Sequence, residues 1–133
     1  MTSRQEIVEC ARSYQNVRWL HQGRSRAGLD CIGLVLTVAH DLGLTEFNTT
    51  DYGRIPDGVR LRQELECHML PTSTPLPGDV LLMRFEREPQ HVAIVTDIGI
   101  IHAYAQLRRV TEHALQGVWP SRVLAAYRFG GLA

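Results

Sequence analysis

The feature that most constrains this chain is a change of pattern near its middle. Apolar residues recur at helical spacing in the first half, and the second half breaks into short aliphatic runs divided by turn residues. Residues 2–15 set Ile7, Val8, Ala11 and Tyr14 on one helical face. A loop containing glycine and arginine covers residues 17–29. Asp30 then stands as an N-cap, because its carboxylate can accept the unpaired N–H groups of the next turn. Cys31, Leu34, Val35, Val38 and Leu42 follow on one face, and Gly43 is a suitable C-terminal stop. Residues 45–56 read as irregular, 57–69 as a short helix, and 71–77 as a connector rich in proline, serine and threonine. Residues 80–83, 92–95 and 98–103 read as strands, with further strands expected over 109–113 and 123–129. Helices first and strands second predict an α+β fold with the helices packed on one antiparallel sheet.

Composition narrows the functional classes. The 133 residues, 44% of them apolar, suit one domain over 1–133 with a core that needs no staples. Fourteen basic residues balance fourteen acidic ones, so no general charge draws the chain to nucleic acid or to anionic membranes. The small cluster Arg24-Ser25-Arg26 reads as a solvated loop. Three cysteines, Cys10, Cys31 and Cys67, form neither a disulfide framework nor a CxxC metal knuckle. The N-terminus lacks the apolar core of a signal peptide, and no apolar run is long enough to span a bilayer. The expectation is a chain made in the cytoplasm, where thiols stay reduced, without membrane insertion.

Within this frame one cysteine stands apart. Cys31 falls in the first turn of the second helix, where the macrodipole and free N–H groups favour a thiolate. Its backbone N–H is also a candidate oxyanion donor. Cys10 and Cys67 lack that setting and read as structural. A nucleophilic thiol needs a base, and the base needs a group that orients its ring. His91, at the entry to His91-Val92-Ala93-Ile94-Val95, is the candidate base, and His102 is the candidate orienter. If Asp97-Ile98 is a two-residue hairpin loop, Ala93 lies opposite His102, and His91 shares that face one diagonal step away. A three-residue loop would separate the two histidines, so the spacing permits the pair without demanding it. His91, His102 and His113 recur every eleven residues, but no acidic or cysteine ligand stands at short spacing beside them, which argues against zinc. His21, His40 and His68 carry no motif.

Asp30-Cys31-Ile32-Gly33-Leu34-Val35 resembles the Asp-Cys-Ser-Gly-Leu-Val motif of the NlpC family of cell-wall cysteine peptidases. Pro77-Gly78-Asp79-Val80 is similar to that family's Pro-Gly-Asp turn, His91-Val92-Ala93-Ile94-Val95 to its His-Val-Gly-Ile-Tyr strand, and Ile101-His102-Ala103 to its Ile-His-Ala segment. The segments Trp19-Leu20-His21-Gln22-Gly23-Arg24-Ser25 and Ala125-Ala126-Tyr127-Arg128-Phe129 resemble the short branch of phage tails and tail-like particles. The resemblance implies a papain-like fold and hydrolysis of peptidoglycan stem peptides, typically between D-glutamate and the following diamino acid. Cys31 is the implied nucleophile, His91 the base and His102 the third catalytic residue. No metal or organic cofactor is implied. Asp30 and Trp19 fall at the substrate or oxyanion side, although many members have tyrosine at the Trp19 position and serine at Ile32. The implied partners are the stem peptide and phage tail-tip proteins, and the implied place of action is the bacterial cell wall. An assembly part with little hydrolysis, or an amidase or acyltransferase of the same fold, is the alternative. A thiolate–imidazolium pair between Cys31 and His91, with a bell-shaped pH profile, is expected of this arrangement.

Overall fold

A computed structural model describes residues 1–85 and 88–132. Its first helix, α1 (Arg4–Arg12), starts at a capping box in which Ser3 and Glu6 satisfy each other's backbone N–H groups. It ends a turn earlier than the expected residue 15. The loop that follows holds a small hairpin of β1 (Arg24–Ser25) and β2 (Gly28–Leu29). Asp30 caps α2 (Cys31–Asp41), and α3 (Gly58–His68) matches the expected short helix.

Six strands then form one antiparallel sheet. They are β3 (Leu70–Thr72), β4 (Val80–Arg84), β5 (Pro89–Val95), β6 (Ile100–Tyr104), β7 (Arg109–His113) and β8 (Val123–Arg128). Their order is β3-β8-β4-β5-β6-β7, with every neighbouring pair antiparallel. A four-residue helix, α4 (Trp119–Arg122), leads into β8. The α+β expectation therefore holds. The stretch expected as a plain connector differs, since Leu70, Pro71 and Thr72 pair with Arg128, Tyr127 and Ala126. β3 sits at the sheet edge, where a proline's missing N–H costs no ladder bond.

α2 is buried along most of its length and packs on β5. Leu34, Val35 and Val38 join Val80, Leu82, Val92, Ile94 and Ile101 in the main core. The opposite face of the sheet carries a second cluster of Leu81, Met83, Ala93, Ile100 and Ala126, with Trp119 and Val123 against it. Alternation along β5 therefore sends Val92 and Ile94 toward the helices and His91 and Ala93 to the other face. The turn before β4 is pinned to α1. Arg4 donates to the buried Asp79 carboxylate at 2.6 Å and to the Pro77 carbonyl at 3.2 Å. Gly78 has φ of 94°, a backbone conformation that few side chains allow. Among the described residues no helix is long and apolar enough to cross a membrane.

The first turn of α2 lies so close to the preceding hairpin that one position excludes a side chain. A Cβ on Gly33 would stand 2.1 Å from the Gly23 carbonyl oxygen, which is backbone and cannot swing away. Gly33→Ala is expected to cost about 3 kcal/mol or more through overpacking. That would lower Tm by roughly 10 °C in a domain of this size. Thermal unfolding followed by circular dichroism checks this, and a Tm within about 2 °C of wild type would show that the approach is looser.

Candidate active site

The site begins with Asp30, a carboxylate only 4% exposed. Its Oδ1 accepts the Gly33 N–H at 2.7 Å, and its Oδ2 accepts the Gln22 N–H at 2.7 Å and the Tyr52 hydroxyl at 2.8 Å. Arg24 stands 3.5 Å from Oδ1. Gln22 holds φ of 59°, a left-handed conformation set by the turn that aims its N–H at Asp30. Asp30 is thus the N-cap that was expected. Its oxygens are also taken up by partners of this chain, so its visible work is to fix the start of α2.

Two of these partners correct the sequence reading. Arg24 is not part of a solvated loop: it donates to the Asn48 side chain, the Thr49 carbonyl and the Tyr52 hydroxyl, binding the 48–52 segment to the hairpin. Tyr52, in a stretch read only as irregular, brings its hydroxyl next to the residue that precedes Cys31. A turn-rich sequence carries no local signal for a contact across 22 residues. Trp19 is half-buried against the core and bridges Leu29 through its backbone, with the Arg54 guanidinium 5.7 Å from its ring centroid.

Cys31 is the first residue of α2, and the backbone N–H groups of Val92, Ile32 and Cys31 itself are near enough to its sulfur to favour a thiolate. Val92 directly follows His91 in β5. Among the described residues no hydrogen bond joins the sulfur to either imidazole. The expected ion pair is corrected here. Burial, then the nearby Asp30 carboxylate, push the Cys31 thiol up to about 12, and the backbone donors offset only part of this. Burial, then the Arg122 cation, push His91 down to about 3. Both directions favour a neutral thiol and a neutral imidazole at rest. Exposure also corrects the other thiols: Cys67 is exposed on α3 and Cys10 half-buried, while Cys31 is buried.

The histidines form a chain across the strands. His91 Nε2 and His102 Nδ1 are 2.7 Å apart, and His102 Nε2 and His113 Nε2 are 2.9 Å apart. The register explains it. Val95 pairs with Ile100 and Ile94 with Ile101, and the Thr96 N–H donates to the Gly99 carbonyl across Asp97-Ile98. The two-residue loop is therefore the one present, and extending that register by one residue puts Ala93 opposite His102. In the next hairpin Thr111 pairs with His102, which leaves His113 on the same face one diagonal step further. The eleven-residue recurrence is this hairpin geometry, and ring nitrogens that converge on one another as a chain do not converge on an ion. Among the described residues no group of three or more histidine, cysteine or acidic side chains is placed to hold a metal. Tyr104 stacks on His102 at 5.5 Å, and Trp119 packs edge-on to it at 5.0 Å, which shields the chain from water.

A cleft of about 610 Å³ opens beside this site. Ile32, Val35, Leu36, Tyr52, Leu65 and Val92 line it, and Asp51, Asp57, Glu64 and Glu88 with Arg60 stand around it. A thiol at a helix start, a neutral imidazole braced by a second one, and an adjoining cleft are the parts needed for acyl transfer through a covalent thioester.

The profile of the NlpC/P60 family matches residues 16–128, and the chain belongs to that family. The NlpC/p60 domain of the peptidoglycan hydrolase SagA is similar in structure, with 21% identity, 96% of this chain and 100% of that chain covered, and a TM-score of 0.68. An NlpC/P60 family protein from Bacillus cereus ATCC 10987 has 19% identity over 96% of this chain and 40% of its own, with a TM-score of 0.74. A protein similar to lipoprotein, NLP/P60 family, from Staphylococcus aureus subsp. aureus Mu50 has 20% identity over 95% of this chain and 41% of its own, with a TM-score of 0.70. The chain thus spans about two fifths of the length of the latter two. These likenesses establish the papain-like fold. Comparison with curated proteins finds no significant match.

The burial of His91 and His102 predicts a stability effect with a definite sign. Burial pushes His102 down as well, reinforced by the neighbouring His91 and His113. Between about pH 6.5 and 5 the unfolded chain binds a proton on each histidine and the native chain does not. Stability must therefore fall as pH falls, approaching about 1.4 kcal/mol per pH unit for each histidine. Urea unfolding at a series of pH values across this window checks it. A stability independent of pH there would show that these imidazoles already bear protons in the native state.

Proposed function

We propose that this domain is a cysteine peptidase that hydrolyses an amide bond in peptidoglycan stem peptides at the bacterial cell wall. The carrying observation is the buried arrangement at α2 and β5, where Cys31 at the helix start is near the backbone N–H of Val92, the residue after His91, and His91 is braced by His102. His91 spends Nε2 on His102, so Nδ1 is the nitrogen that serves the thiol. When substrate enters the cleft, the thiol turns from the Val92 amide to His91 Nδ1 and gives up its proton. The sulfur then attacks the carbonyl, and the oxyanion is met by the N–H groups around the start of α2. His91 returns the proton to the leaving amine, and water hydrolyses the thioester by the reverse sequence.

The D-glutamyl–diamino acid bond is the proposed target. Four carboxylates against one arginine around the cleft suit the free amine of a diamino acid. Delivery as part of a phage tail or tail-like particle, beside tail-tip proteins, is proposed on the sequence resemblance alone.

Cys31→Ala is expected to abolish release of fragments from purified peptidoglycan. His102→Gln should keep more activity than His102→Ala, because an amide still hydrogen-bonds the His91 ring. With a neutral resting pair, kcat/KM on a soluble stem peptide should stay level from about pH 6 to 9. A fall on the alkaline side would mark loss of an imidazolium proton and return the ion-pair mechanism. Hydrolysis that survives Cys31→Ala would show that Cys31 is not the nucleophile, and no hydrolysis by the wild type would make the domain an assembly part.

A further inference from the structure

The imidazole chain does not end at the second histidine. His113 Nδ1 is 2.9 Å from the Ala114 carbonyl oxygen, and that oxygen can only accept. The proton of a neutral His113 therefore sits on Nδ1, and its Nε2 holds a lone pair. His102 Nε2, 2.9 Å away, must donate to it. A neutral His102 then has its lone pair on Nδ1, and His91 Nε2 must donate there across 2.7 Å. One lone pair is left over, on His91 Nδ1, which is the form of the ring that can take a proton from a thiol.

We infer that His113 is a positioning residue of this site: held by the Ala114 carbonyl, it fixes the tautomers of His102 and His91 so that the base presents an unprotonated Nδ1 to the nucleophile. The inference rests on the peptidase reading of Cys31 and His91, and it adds a third imidazole acting through the other two. Packing supports it. Trp119 lies against both His102 and His113, with ring centroids at 5.0 and 5.1 Å, so neither ring is free to turn over. His91 and His102 are buried and held uncharged by that burial, which keeps the chain of single donors and single acceptors intact. A third residue of the site with only a donor or an acceptor to offer would specify its own orientation. Histidine has two tautomers, and something must choose between them.

Long-range proton–nitrogen NMR on the folded, histidine-labelled protein at neutral pH reads the tautomers directly. His91 and His102 should be protonated on Nε2 and His113 on Nδ1. His91 protonated on Nδ1, or His113 on Nε2, overturns the inference. The paired variants are His113→Gln and His113→Phe. Glutamine can accept from His102 and donate to the Ala114 carbonyl, and should hold kcat within about threefold of wild type. Phenylalanine keeps the ring but offers no acceptor, and should lower kcat at least about tenfold with KM unchanged, while His91 shows both tautomers. A folded His113→Phe protein with wild-type kcat overturns the inference, and if that variant fails to fold, the wild-type tautomers still decide. Should the wild type hydrolyse no stem peptide, the peptidase reading fails on that result, and the tautomers independently decide the role of His113.

Discussion

The structure depends on one buried carboxylate. Asp30 collects two backbone N–H groups, one hydroxyl and a nearby guanidinium, drawn from the hairpin, the first turn of α2 and the 48–52 segment. An isolated buried charge is costly, and partners on every side are what make this one tolerable. The return is positional. The carboxylate sets where α2 begins, hence where Cys31 stands, and the Gly33–Gly23 contact leaves that turn little room to drift. A helix start so fixed can hold a sulfur against the Val92 amide of β5 with few other constraints.

The same burial that fixes the nucleophile also quiets it. A helix N-terminus favours a thiolate, but its contribution is modest beside the cost of placing a charge in a water-free pocket next to a carboxylate. Desolvation prevails over the dipole at Cys31, and at His91 it is reinforced by the Arg122 cation. The thiol and imidazole are therefore uncharged at rest, and in the proposed mechanism activation is tied to the moment at which substrate fills the cleft beside Tyr52 and Val92. Buried apolar surroundings then strengthen each interaction made with the developing oxyanion.

Much of this was legible in the sequence because it depends on local periodicity. Asp30 before an apolar helical stripe marked the cap and the thiol, and period-two alternation allowed His91 and His102 on one face on the condition of a two-residue loop. What escaped depends on contacts between distant segments. Arg24 looked solvated because it stands in a short basic cluster, and most of its partners lie in the distant 48–52 segment. Tyr52 sits in a stretch without periodicity. Pro71 suggested a connector, and only the free edge of β8 makes it a strand. His113 was visible as a recurrence, but its role follows from the Ala114 carbonyl, and its hydrogen bond needs the backbone course after β7. The thiolate expected at Cys31 failed because a sequence shows the helix terminus and hides the depth of burial.

The central claim is that a quiet, buried Cys31 becomes a nucleophile toward a bound stem peptide with His91 as its base. A stem-peptide analogue carrying an electrophilic vinyl sulfone at the scissile position tests it most directly, with the adduct located by peptide mapping. The account predicts one adduct, on Cys31, formed in a Cys67→Ser protein and lost in His91→Ala. An adduct on Cys67 alone, or one on Cys31 that forms equally fast without His91, would contradict it.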